Sequence, residues 1–350
     1  MHMERLATET IIQVFLSVPT VAAAVNLSST CRRLRHIFTS SKRLLILGQA
    51  AETEYGPLDD IVQLVTHNAS QPAHIHRHAP LSLALIRSLV KAGQVAVKYE
   101  EIYPFKKWKS DFENRRTLTV DERLTLRKAL YRLWLFTRAF HNADHHRLLR
   151  ASASAVYERA ALLHNFSTLE LAEMLDVHNI LRDTISRNIC PSNHVIRARV
   201  HKRFPDCDHQ LLFNPHFQFL PSAPSLFISD YYHSNINAAS RFHDKYTPTR
   251  THEPGAEGWG DDITHYYVVE DMLKLDPEQI LWLKNNATFK AQVDGYVRSM
   301  GDWFENNGET FVQTMQFVLQ QRGEDLQDIK IAIENGEMGV ALAARKDSVV

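Results

Sequence analysis

The chain has 350 residues, 44% apolar and 23% charged, enough to bury one large core or two ordinary ones. Forty Lys and Arg balance forty Asp and Glu, so no net field draws in nucleic acid or an anionic membrane. Three cysteines without CxxC spacing (Cys31, Cys190, Cys207) argue against a disulfide framework or thiolate zinc site, and no run approaches the roughly 18 apolar residues of a membrane span.

These features predict a cytoplasmic or nuclear protein with no nucleic acid or membrane partner. In chain order, residues 4–38 read ERLATETIIQVFLSVPTVAAAVNLSSTCRRLRHIF. Ile11, Ile12, Phe15 and Leu16 at helical spacing predict a first helix over 8–16. A turn with Pro19 follows, then a second short helix over 21–29. A third starts at Thr30 with Leu34, Ile37 and Phe38 apolar. Three helices this short, in about 40 residues, cannot complete a core alone. The segment must lean on a partner or on the rest of the chain.

This segment resembles the F-box, the module by which substrate receptors dock on the Skp-type adaptor of cullin-RING ubiquitin ligases. Leu6 and Glu9 stand at the Leu and Glu positions of the opening Leu-Pro-x-Glu, with Ala7 where Pro is usual. Ile11, Phe15 and Leu16 fall on the first helix. Leu27, Thr30, Cys31, Arg32 and Leu34 match the closing signature, with Leu34 where Trp is common. The resemblance covers roughly a tenth of the chain. It implies an adaptor-binding face of Leu6, Ile11, Ile12, Phe15, Leu16, Leu27, Cys31 and Leu34, and through the adaptor a cullin. The remainder is similar to fungal F-box proteins of this size in THNASQPAH, YPFKKW and PGAEGWGDDITHYYVVEDMLKLDPEQILWL.

Beyond the N-terminus, His74, His76 and His78 alternate in HIHRH. An extended segment would place the three imidazoles on one face, where zinc could bind, but no carboxylate or thiolate is close in sequence, and a loop between helices is the plainer reading. Thr119 and Glu122 have capping-box spacing before a stripe of Leu126, Leu130, Leu133 and Trp134. On that helix Arg123, Arg127, Lys128 and Arg132, with Lys106, Lys107 and Lys109 upstream, read as a solvated basic face rather than a phosphate site. His141 and His145 are four apart in HNADHH, but without HExxH the stretch reads as a helix end. Ser167 and Glu170 repeat the capping signal before Leu171, Met174, Leu175 and Leu181.

From about 204 to 262 the sequence is proline-rich and lacks periodicity, with short extended pieces expected at 211–219 and 225–228. Within HEPGAEGWGDDITHYY, Gly255, Gly258 and Gly260 permit positive φ or close backbone approach around the large Trp259. Asp261, Asp262 and His265 follow at once. This loop is the candidate target-binding element. A purely structural loop with Asp262 capping the next helix, or a carboxylate–imidazole pair doing chemistry, are its other readings. Asp276-Pro277 starts a helix, with Leu275 and Ile280 spaced as a hydrophobic staple. Asn306-Asn307-Gly308 reads as a C-cap, and Phe311, Met315, Val318 and Leu319 mark a helix ending near Gly323.

The expected architecture is mainly α. An F-box-like module over 4–45 precedes an irregular helical domain over 55–340 that includes the long Pro-rich loop region, and a tail over 341–350. The expected function is that of a non-catalytic substrate receptor linking an unknown target to a Skp–cullin–F-box type ligase, with no metal or cofactor. A helical scaffold without ligase function, or a metal-dependent enzyme using the histidine clusters, are the alternatives.

Overall fold

A computed structural model describes residues 6–196, 198, 258–287 and 289–343. Among them every regular element is helical and none is a strand, in keeping with the mainly α expectation. The extended pieces expected at 211–219 and 225–228, and most of the Pro-rich stretch, lie outside the described residues. No helix among the described residues is long and apolar enough to cross a membrane.

The chain divides into two compact units. The first comprises the chain up to Leu181, Leu275–Glu278 and the chain from Glu309 on; the second comprises Arg182–Lys274 and Gln279–Gly308. The division falls elsewhere than the expected boundary between 45 and 55. The reason is visible in the N-terminal helices α1 (Thr8–Leu16), α2 (Val21–Ser28) and α3 (Arg32–Phe38). Their core of Ile11, Phe15, Ala24, Leu34, Ile37 and Phe38 continues into Ile46 and Leu47 of α4 (Arg43–Tyr55) and Ile86 of the later helix α6 (Leu83–Lys107). The short helices complete their burial on the chain itself.

In the first unit, α5 (Leu58–Val65), α6 (Leu83–Lys107) and α7 (Val120–Phe140) follow α4. Each long helix begins on a side-chain cap: Ser82 Oγ accepts from Leu85 N, and Thr119 and Glu122 form the reciprocal capping box that their spacing predicts. The stripe Leu126, Leu130, Leu133 and Trp134 is buried. Where α6 passes α4, Gly93 lies so close to Tyr55 that a Cβ there would sit 2.3 Å from the ring. Next come α8 (Ala153–His164) and α9 (Thr168–Thr184), the latter opened by Ser167 and Glu170 capping each other. Later in the chain α13 (Phe311–Gln321), with Phe311, Met315, Val318 and Leu319 buried, and α14 (Leu326–Glu334) complete this unit. Gly323 ends α13 at φ +76°.

In the second unit, α9 runs into a π-helical turn, Ile185–Ile189. The remaining helices are α10 (Asp262–Met272), α11 (Pro277–Asn286), whose first turn belongs to the first unit, and α12 (Lys290–Ser299). Ile185, Ile189, Val269, Met272, Leu283, Val293 and Phe304 fill the core. Asn306-Asn307-Gly308 does not cap a helix: α12 ends at Ser299, seven residues earlier than Asn306. Instead the backbone N–H groups of Asn306 and Asn307 donate to the Asp271 carboxylate at 2.8 and 3.0 Å, and Asn306 adopts φ +55°. A carboxylate distant in sequence organises the turn that the Asn-Asn-Gly composition allows.

Candidate functional site

The N-terminal helices are held together at their two ends by polar contacts. Thr20 caps α2 through Ala23 N at 3.0 Å, and Glu54 of α4 accepts from Val21 N at 2.8 Å. Cys31 is the N-cap of α3, its Sγ accepting from Leu34 N. Arg33 reaches back across the module and donates to Leu6 O at 2.7 Å. One of the two adjacent arginines after Thr30-Cys31 thus ties α3 back to the segment before α1. Phe15 and Phe38 meet with ring centroids 5.6 Å apart.

This packing separates the eight residues of the expected adaptor-binding face into two groups. Ile11, Phe15 and Leu34 are core, at 0%, 0% and 3% exposure. They lie within the chain's own core rather than on its surface, which departs from the expectation that they form an exposed face. Leu6, Ile12, Leu16, Leu27 and Cys31 are partly buried against that core and remain partly open. Val25 of α2 is exposed as well. The result is an apolar rim on a finished core.

The expected target-binding loop is largely turned inward. Trp259 is buried, with the Lys290 ammonium 4.7 Å from its ring centroid. Its N–H donates to Pro191 O, and Gly260 O accepts from Asn193 N. Asp261, not Asp262, is the N-cap of α10, and its carboxylate accepts from His194 N at 2.8 Å. His265 Nε2 lies 2.7 Å from Cys190 O. Only Asp262 faces solvent, at φ +46°. Trp259, Asp261 and His265 thus bind the loop to the 190–194 segment, and the structural reading of the motif accounts for them. Gly258 and Gly260 serve as the spacing suggests: a Cβ on Gly258 would strike Asn193, and Gly260 sits at φ +87°.

The histidine motifs do not converge into a metal site. Among the described residues no three of His, Cys, Asp or Glu are placed to hold a metal ion. The exposed rings of His76 and His78 lie 4.9 Å apart, tilted by 50° to each other. His141 is the C-cap of α7, and its Nε2 accepts from Thr310 N at 3.2 Å.

The basic stripe of α7 is not a solvated face. Arg132 joins Asp60 of α5 at 2.8 Å and Glu170 of α9 at 2.7 Å, Lys128 joins Glu170 at 2.7 Å, and Arg127 joins Glu100 of α6. Burial favours the neutral form of Glu170, but hydrogen bonds from Lys128, Arg132 and the Ser167 backbone outweigh it and bring its pKa down to about 2. Around this network opens a cleft of about 600 Å³, lined also by Ile75, Leu124 and Phe166. The i,i+4 pair of cations on α7 is legible in the sequence; its carboxylate partners on three other helices are not. Comparison of the chain with known families, curated proteins and solved structures returns no match.

Proposed function

We propose that the chain is a non-catalytic substrate receptor whose N-terminal helices dock on the Skp-type adaptor of a cullin-RING ubiquitin ligase. One observation carries this reading: Leu6, Ile12, Leu16, Leu27 and Cys31 stay partly open around a core that is already complete, at the F-box spacing. A rim of that kind gains from a partner, because the apolar area still open contributes roughly 25 cal/mol for each Å² moved out of water. The rest of the chain then holds a target, and transfer follows from the raised local concentration of the target's lysines beside the charged conjugating enzyme. No bond is made or broken by this chain.

The test is co-expression with a Skp-type adaptor followed by size-exclusion chromatography. The expected result is a stable complex that Leu27→Asp abolishes while the variant stays folded. Elution of the wild-type chain without the adaptor, or full retention of the adaptor by Leu27→Asp, removes the reading. A second reading is favoured by the continuity of the N-terminal core with Ile46, Leu47 and Ile86: the three helices would be the fixed end of a helical scaffold. In that case Leu27→Asp lowers the stability of the first unit and no adaptor binds.

A further inference from the structure

Arg159 on α8 is 2% exposed, yet no carboxylate among the described residues pairs with it. Its Nε donates to Thr314 Oγ1 at 3.2 Å and its Nη2 to Arg150 O at 2.9 Å. Both acceptors are neutral. Glu158, the preceding residue, is exposed and makes no ion pair with it, although its charge is felt there. A guanidinium stays charged in proteins, and holding one out of water without an anion is unfavourable. Burial first, and then the Arg150 guanidinium nearby, depress its basicity, and the Glu158 carboxylate offsets only part of this.

The same side chain lines a pocket of about 290 Å³ between α8 and α13. Val156 and Phe317 form its apolar side; Gln313, Thr314, Gln316 and Gln320 form its polar side, and Arg159 is the one charged residue among those lining it. Gln313, Gln316 and Gln320 recur at i, i+3 and i+7, so one helix face presents three amides, each able to donate and accept. The pocket therefore combines a pre-oriented cation, neutral hydrogen-bonding groups and an apolar wall, and contains no carboxylate to neutralise the cation internally.

We propose that this pocket binds a small molecule through an oxyanion, with Arg159 as the charge that recognises it. The planar fork of arginine matches a carboxylate or a phosphate, and the amides suit hydroxyl or carbonyl groups on the same molecule. The volume is at the small end for ligand sites and suits a dicarboxylate or a phosphate monoester rather than a polymer. This site is independent of the N-terminal rim and does not rest on the receptor reading.

Isothermal titration of the full chain with succinate, and separately with inorganic phosphate, at matched ionic strength tests it. Saturable binding of at least one, with Kd of about 1 mM or tighter, is expected. Succinate alone identifies a carboxylate site and phosphate alone a phosphoryl site; either supports the proposal, as does binding of both. Arg159→Gln should weaken binding roughly 10–100-fold, the loss of one charge-assisted contact. Because Arg159 is also a core residue, Gln316→Glu provides a second arm at an exposed position. Its carboxylate occupies the pocket from within, raising Tm and abolishing anion binding. The absence of saturable binding of either anion to the wild-type chain, or unchanged binding in Gln316→Glu, overturns the proposal.

Discussion

Lys107 and Asp176 form an ion pair 2.8 Å long in which the carboxylate is 3% exposed. The other oxygen of Asp176 accepts from the Tyr103 hydroxyl and from Val340 N at 3.0 Å, and Lys107 also donates to Ile333 O at 3.1 Å. One carboxylate thus joins α6, α9 and the segment after α14. Gly339 lies against it at φ +105°, where a Cβ would come within 2.7 Å of the Asp176 oxygen. The expected tail from residue 341 is corrected at its start by the same contacts. Ala341 is buried and its N–H donates to Tyr103, while residues 344–350 lie outside the described residues.

Asp176→Asn should destabilise the first unit by about 3–5 kcal/mol, because it leaves the Lys107 ammonium buried without its counter-charge. The double variant Lys107→Met/Asp176→Asn should lose less, since no buried ammonium is then left unpaired while the amide oxygen still accepts from Tyr103 and Val340. Urea denaturation measures both. A loss below about 1 kcal/mol in the single variant would show that the pair does not hold the chain end.

Core and rim residues of the N-terminal helices should respond differently. Phe15→Ala empties a site of 0% exposure and should cost about 3–5 kcal/mol. Leu27→Ala, partly exposed, should cost less than half of that. Thermal unfolding of the two variants, run side by side, decides whether the division into core and rim is right. Equal losses would count against it.

Gly93→Ala sets two effects against each other. Alanine favours a helix by about 1 kcal/mol over glycine, but the new methyl would sit 2.3 Å from the Tyr55 ring. Overpacking typically costs about 1–3 kcal/mol, so a lowered Tm is expected. A raised Tm would mean that α4 and α6 separate easily at this point.

Glu170 and Glu173, three residues apart on α9, should give pH effects of opposite sign. The folded pKa of Glu170, about 2, lies below its ordinary 4.5. Its contribution to stability is therefore full above pH 4.5 and lost as pH falls toward 2. Glu170→Gln should be less stable than wild type at neutral pH, with the difference closing in acid. Burial, opposed by Lys128, pushes the Glu173 carboxyl up, and its Oε2 has no hydrogen-bond partner. Its ionised form is a penalty at neutral pH that vanishes in acid. Glu173→Gln should raise Tm at neutral pH and lose that gain below its ordinary pKa of about 4.5. Melting curves across the acid range check both signs.

The sequence alone determined where most helices begin and which stripe each buries. Thr119 with Glu122 and Ser167 with Glu170 cap their helices as read, because a cap is made within four residues of chain. Periodicity is equally local, and Leu126, Leu130, Phe311 and Met315 are buried as their spacing requires. Only the tertiary structure decided which of two neighbouring isoleucines is core: Ile11 is sealed and Ile12 partly open. Their chemistry is identical, and the difference is set by where α4 and α6 lie. Charge pairing was hidden for the same reason. Arg127 and Arg132 meet carboxylates 27, 38 and 72 residues away in the chain, so a stripe that reads as solvated is paired. Arg159 shows the converse: an ordinary helix-surface arginine in the sequence is a buried cation at the wall of a pocket, because α13 packs over it from more than a hundred residues downstream.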